Sequence, residues 1–147
     1  MKNIVNHYKT LLCGEKFYVT GSLALSYLGF CEEKDVHDID IIVVNPTDEC
    51  RNILNRLVED NSAKTKPYPG SNLAGIFMHD NVKVDVFFLS KAEKTIPSGD
   101  GFDVSTIDGI VRAKKNINRL KDWKQLLLLS EKICSEREFL EKIRNAK

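Results

Sequence analysis

The sequence has no apolar stretch approaching the roughly 18 residues of a membrane-spanning helix. Its opening, MKNIVNHYKTLLCGEK, lacks the basic-then-apolar layout of a secretory signal. The expectation is a cytoplasmic protein with no membrane partner. Cysteine is sparse and scattered: Cys13, Cys31, Cys50 and Cys134 form no C-x-x-C pair, which disfavours a compact zinc site or a disulfide framework. We read them as reduced, mostly buried thiols. There is no internal repeat and no low-complexity tract. Nor is there a marked charge excess: the net charge is +1, and proteins that grip long nucleic acids through phosphate usually carry a basic surplus.

That near-zero total hides an asymmetry. Residues 1–110 hold 11 Lys and Arg against 16 Asp and Glu, a net of −5, whereas residues 111–147 hold 11 against 5, a net of +6. A basic C-terminal segment after an acidic region could supply cations to a shared anionic ligand, or could simply be the solvated faces of amphipathic helices.

With 147 residues, 42% of them hydrophobic and 29% charged, the chain is long enough for one domain with a proper core. Apolar spacing predicts a helix over residues 3–13, a strand at KFYVTG, and a helix at SLALSYLGF with Ser22 as its N-cap. A strand at DIDIIVV follows, then a helix at DECRNILNRLVEDN capped by Thr47 or Asp48. SAKTKPYPGSN reads as a loop in which Lys64, Lys66 and Tyr68 could meet an acceptor molecule. LAGIFMHDNVKVDVFFLS reads as a hairpin turning at Asp80-Asn81. KAEKTIPSGDGFDVS is expected to be loop with at most one short strand. A helical stretch should start at Ser105 or Thr106 and run to about Leu129, with a last helix over roughly 135–145 and Trp123 in a core or helix–helix contact. The sum is an α+β domain, one sheet with flanking helices and a helical C-terminal end. We take residues 1–147 as a single domain, its sheet core over about 15–90 and its helical segment over about 105–147.

Two strands carry residues that buried strands avoid. Asp38 and Asp40 open an otherwise aliphatic strand, and alternation points both the same way. Like charges near an apolar core repel and lose hydration, so something positive should stand between them, a basic side chain or a metal ion. Asp85 repeats the anomaly between Val84 and Val86. If the two strands pair, three carboxylates share one face, a donor set suited to a hard divalent cation such as Mg²⁺. An ordinary ion-paired protein would instead place Lys or Arg beside each acid. The two strands offer only Lys83, which alternation puts on the face of Asp85. Upstream, Gly21-Ser22 joins a strand to a helix, a turn whose backbone N–H groups can receive phosphate. His37, just before the acidic strand, could touch substrate.

The order of these features (apolar strand, Gly21-Ser22 at a helix start, Asp38-x-Asp40 on the next strand, a lone Asp85 on a later one) resembles the nucleotidyltransferase superfamily with the polymerase-β-like fold. The segment KKNINRLKDWKQLLLL, residues 114–129, resembles the C-terminal helix of small bacterial nucleotidyltransferases of the antibiotic type or AbiEii-like toxin type. Lys114, Arg119, Lys121 and Asp122 match there, and Gln125 stands where a second acid is usual. The resemblance implies a Mg²⁺-dependent enzyme that transfers a nucleoside monophosphate from an NTP to an acceptor hydroxyl. Asp38, Asp40 and Asp85 would be the catalytic residues and would bind two Mg²⁺, as in the family pattern. Gly21 and Ser22 would hold the triphosphate, with Lys114 or Arg119 neutralising it. Asp85 would help deprotonate the acceptor, which could be a small molecule, a tRNA end or a protein. So short a chain leaves little room for an acceptor domain, so the acceptor could bind at a homo-oligomer interface or on a partner protein. The competing reading is a catalytically weak nucleotide-binding or partner-binding module, such as half of a toxin–antitoxin pair.

Overall fold

The computed structural model describes residues 1–60, 72–117 and 120–145. These fall into two compact units, Met1–Ile107 and Asp108–Lys147. The first runs α1 (Lys2–Leu11), β1 (Lys16–Thr20), α2 (Gly21–Tyr27), a single 3₁₀ turn (Glu33–Asp35), β2 (Asp38–Val44), α3 (Asp48–Asp60), β3 (Leu73–His79), β4 (Val82–Leu89), β5 (Thr95–Pro97) and β6 (Asp103–Ser105). Its strands form one six-stranded mixed sheet in the order β3-β4-β2-β1-β6-β5. The pairs β2/β4 and β1/β6 are parallel, and the other neighbours are antiparallel. The chain is thus α+β, as its pattern of elements predicts.

The two faces of β2 differ. Ile39, Ile41 and Val43 are fully buried, as are Val84 and Val86 of β4 in the same rows. Helices α1 and α3 cover this face. From α1, Tyr8 packs its ring against Phe77 with centroids 4.9 Å apart. From α3, Leu54 and Val58 come so close to β3 that a methyl group at Gly75 would lie 2.7 Å from Val58 Cγ2. The other face of β2 carries Asp38, Asp40, Ile42 and Val44 in order. Its far end is apolar, where Ile42 and Val44 cluster with Tyr18, Phe87 and Leu89. The β3–β4 turn has positive φ at both Asp80 (48°) and Asn81 (66°), the backbone a tight two-residue hairpin needs. Thr47 caps α3, its Oγ1 accepting from the Cys50 N–H at 3.1 Å.

Four expectations need correction. Helix α2 starts one residue early, at Gly21, and its N-cap is Thr20 rather than Ser22. The stretch after β4 forms two short strands, because β6 finds the open edge of β1 and β5 folds back on it. The interruption expected after Leu129 is absent: α4 covers Ile107–Ile117, and α5 runs through that point over Leu120–Asn145. Only Cys50 among the cysteines is buried, Cys31 being half-buried and Cys13 and Cys134 exposed. Trp123 is 47% exposed, more open than a core position. The loop 62–72, with Lys64, Lys66 and Tyr68, lies outside the described residues apart from Asn72. Among the described residues no helix is long and apolar enough to cross a membrane.

Candidate active site

The parallel register of β2 and β4 sets Asp40 opposite Asp85 and Asp38 opposite Lys83. On the other side of β2, Thr20 is the register partner of Asp40. One row of the sheet therefore reads Thr20, Asp40, Asp85, and the next places Asp38 beside Lys83. Strands β2 and β4 bury one aliphatic face, Ile39, Ile41 and Val43 beside Val84 and Val86, and that burial fixes the register. Register in turn carries the acids of both strands to one face.

Burial then separates Asp38 from Asp85. The Asp38 side chain is 42% exposed, whereas Asp85 as a residue is 9% exposed. Asp85 Oδ2 lies 3.5 Å from the Lys83 ammonium, and Asp38 Oδ2 lies 4.0 Å from it. Asp85 Oδ1 is buried with no hydrogen-bond partner. Burial pushes the Asp85 carboxyl above the ordinary carboxylate range. Lys83 pulls it back, the charge of Asp38 pushes it further up, and hydrogen bonds with Lys83 and Asp40 act downward without cancelling the burial.

Gly21 closes one side of the site. It sits at φ +67°, and a methyl group there would lie 2.1 Å from Asp40 Oδ2. Glycine is required at this position twice over, by the left-handed backbone and by the close approach. The β1–α2 turn with Ser22 is thereby pressed against the carboxylate row. Ser22 is half-buried, and its carbonyl accepts from the Cys31 thiol at 3.6 Å. His37 precedes β2 as an exposed residue.

In the second unit, Lys114 on α4 faces two partners on α5. Its Nζ donates to Gln125 Oε1 and lies 3.9 Å from Asp122 Oδ1. Asp122 is 1% exposed and the Lys114 side chain 13%. Lys114 therefore takes part in an ionic clasp between the two helices. Arg119 lies outside the described residues. Sequence reasoning gave no role to this clasp, although a signal existed: Asp122 is the sole acid between residues 111 and 130. It likewise left Lys83 as a same-face neighbour, where the structure makes it the cation between two of the acids.

The donor set suits a hard divalent cation. Three carboxylates share a face, and one Asp85 oxygen is buried without a hydrogen bond, a situation that metal coordination relieves. As the side chains stand, no group of three or more His, Cys, Asp and Glu among the described residues has the spacing of a formed metal cage. Lys83 occupies part of that space. A cleft of about 540 Å³ lies elsewhere, at the C-terminal ends of β2 and β4 beside Asn45, Arg51 and Phe88. It holds none of the three acids.

The fold of the chain has a structural parallel. The fold is similar to a crystal structure of a "putative nucleotidyltransferase" from Thermotoga maritima, with a TM-score of 0.55 over 89% of this chain and 90% of that one. The two sequences are 19% identical, so the likeness concerns the fold. No protein-family model matches the sequence, and no curated protein does.

Proposed function

We propose that the protein is a nucleotidyltransferase that moves a nucleoside monophosphate from an NTP to an acceptor hydroxyl, releasing pyrophosphate. The observation that carries this reading is the meeting of Asp38, Asp40 and Asp85 on one face, with Asp85 Oδ1 left buried and unpartnered. The shared fold supports it.

Asp38, Asp40 and Asp85 would hold Mg²⁺, which supplies charge neutralisation at the transferring phosphoryl group and activation of the attacking oxygen. The chain's own residues do the rest. The Gly21-Ser22 turn would offer its backbone N–H groups to the triphosphate. Asp85 would help to take the proton of the acceptor hydroxyl in this reading. The aliphatic rows beneath the carboxylates keep the site rigid, so little reorganisation accompanies charge development. Lys114 or Arg119 would neutralise triphosphate in this reading, with Lys114 having to leave or share its clasp with Asp122. Residues 1–147 act as one catalytic domain in the cytoplasm. The acceptor is a small molecule, a tRNA end or a protein, and the antibiotic-type and AbiEii-like resemblance of residues 114–129 favours a bacterial defence or resistance setting.

Lys83 favours a second reading. An ammonium between two of the acids is what a catalytically weak module, built to bind a nucleotide or a partner, would keep after losing its metal. Calorimetric titration with ATP, CTP, GTP and UTP in Mg²⁺, on wild type and on Asp38→Ala/Asp40→Ala, separates the two. Nucleotidyl transfer expects metal-dependent binding of at least one NTP that the double variant loses. Absence of binding by any NTP to the wild type would sink it.

A further inference from the structure

Lys83 belongs to the carboxylate face and yet has no part in the reaction as derived so far. Its position is not incidental. It is the direct register partner of Asp38 and lies two residues before Asp85, so both strands aim it at the same oxygens. Its ammonium is 3.5 Å from Asp85 Oδ2 and 4.0 Å from Asp38 Oδ2. Those are oxygens a divalent cation would need, and such a cation binds carboxylate oxygen at about 2.0–2.6 Å. An ammonium and a dication cannot both sit there. Coulomb repulsion at a few ångströms, in a site where Asp85 is nine-tenths buried, makes their exclusion strong.

We propose that Lys83 is a resident counter-cation that competes with the divalent metal for Asp38 and Asp85, so that metal entry is coupled to the arrival of the anionic nucleotide. This rests on the nucleotidyltransferase reading and adds a regulation to that same site. The Lys83 side chain is 41% exposed, so it has room to swing off the carboxylates. Once displaced, its ammonium needs an anion, and the triphosphate entering beside Gly21 is the one at hand. Metal alone therefore binds weakly, while metal and triphosphate together bind well. While Lys83 is in place Asp85 keeps one oxygen unsatisfied, since Lys83 reaches only Oδ2. The lysine thus blunts the repulsion among the acids without fully satisfying them, which leaves the site ready to exchange one cation for another.

The test is Mn²⁺ binding, followed by the electron paramagnetic signal of the free ion, on wild type, Lys83→Met and Lys83→Gln. Lys34→Met, which removes an exposed lysine paired with Glu32, controls for net charge. Mn²⁺ without nucleotide should bind both Lys83 variants about ten-fold or more tightly than wild type, and Lys34→Met like wild type. Adding a non-hydrolysable ATP analogue should tighten Mn²⁺ binding in the wild type and do so much less in Lys83→Met. Circular dichroism of each variant establishes that the sheet is intact, and the half-exposed position makes two folded variants a reasonable expectation. If the analogue and Mn²⁺ bind together but the Lys83 variants take Mn²⁺ alone no better than wild type, the lysine proposal is overturned and nucleotidyl transfer stands. Should no protein in the series bind Mn²⁺, with or without the analogue, both are overturned.

Discussion

The molecule buries an aspartate in each of its two units and treats them in opposite ways. Asp122, 1% exposed, sits among helical residues with Lys114 at 3.9 Å, and Lys114 is in turn shared with Gln125. Asp85, 9% exposed, keeps Oδ1 without a hydrogen bond and shares the cation on Oδ2 with Asp38. Asp122 has the surroundings of a structural carboxylate, whose cation is nearly as buried as itself. Asp85 has those of a carboxylate held ready for something else. Burial is common to both, so burial alone does not mark a functional acid. What marks it is the unmet oxygen, tolerated because the aliphatic strands around it over-determine the backbone.

The contrast can be broken most forcefully at Asp122. Asp122→Ala leaves Lys114 charged in a largely enclosed position, and removing one partner of a buried pair costs about 3 kcal/mol. Trp123 is the protein's one tryptophan and lies on α5. Its fluorescence in a urea titration should therefore report a helical unit that melts much earlier. A midpoint unchanged from wild type would mean that the clasp carries no stability. At the other site the backbone is the sensitive element. Gly21→Ala forces a methyl group to 2.1 Å from Asp40 Oδ2 in a left-handed conformation, and roughly 2 kcal/mol should be lost from the sheet unit. Amide exchange along β1 and β2 would register it.

The smallest effect has the opposite sign. Asp85→Asn should stabilise the apo protein at neutral pH by about 1 kcal/mol, because it removes a buried ionised group with an unmet oxygen. The raised affinity of Asp85 for its proton means that the folded state binds that proton more tightly than the unfolded chain does. Its stabilising share is therefore complete below the usual carboxylate range and is lost as pH rises through the folded value. The gap between Asp85→Asn and wild type should open from about pH 4 upward and then level off. Denaturation midpoints across that range would check it, and a gap that closes as pH rises would reverse the reading of Asp85.

Much of this was legible in the sequence. Asp38, Asp40 and Asp85 stood out because an ionisable residue in an aliphatic strand violates its local pattern, and the hairpin was legible from Asp80-Asn81. The parallel pairing of β2 with β4 was inferable only as a condition for the acids to meet. What stayed hidden depends on contacts distant in the chain. β6 is three residues long and becomes a strand because β1 has an edge to offer. Lys83 was visible as a neighbour, but whether it bridges the acids is a matter of rotamer and register together. Ser22 looked like a cap because serine favours that position, yet the close approach to Asp40 starts the helix a residue sooner.

The contact between Gly21 and Asp40 also has an evolutionary consequence. The two positions are 19 apart in the chain and yet cannot drift independently, since any side chain gained at one must be matched by a shorter one at the other. A lineage that relaxes its need for the acid gains, in the same step, freedom at the glycine. Paired change at 21 and 40 would therefore be the earliest trace, in a set of descendants, of a site falling out of use.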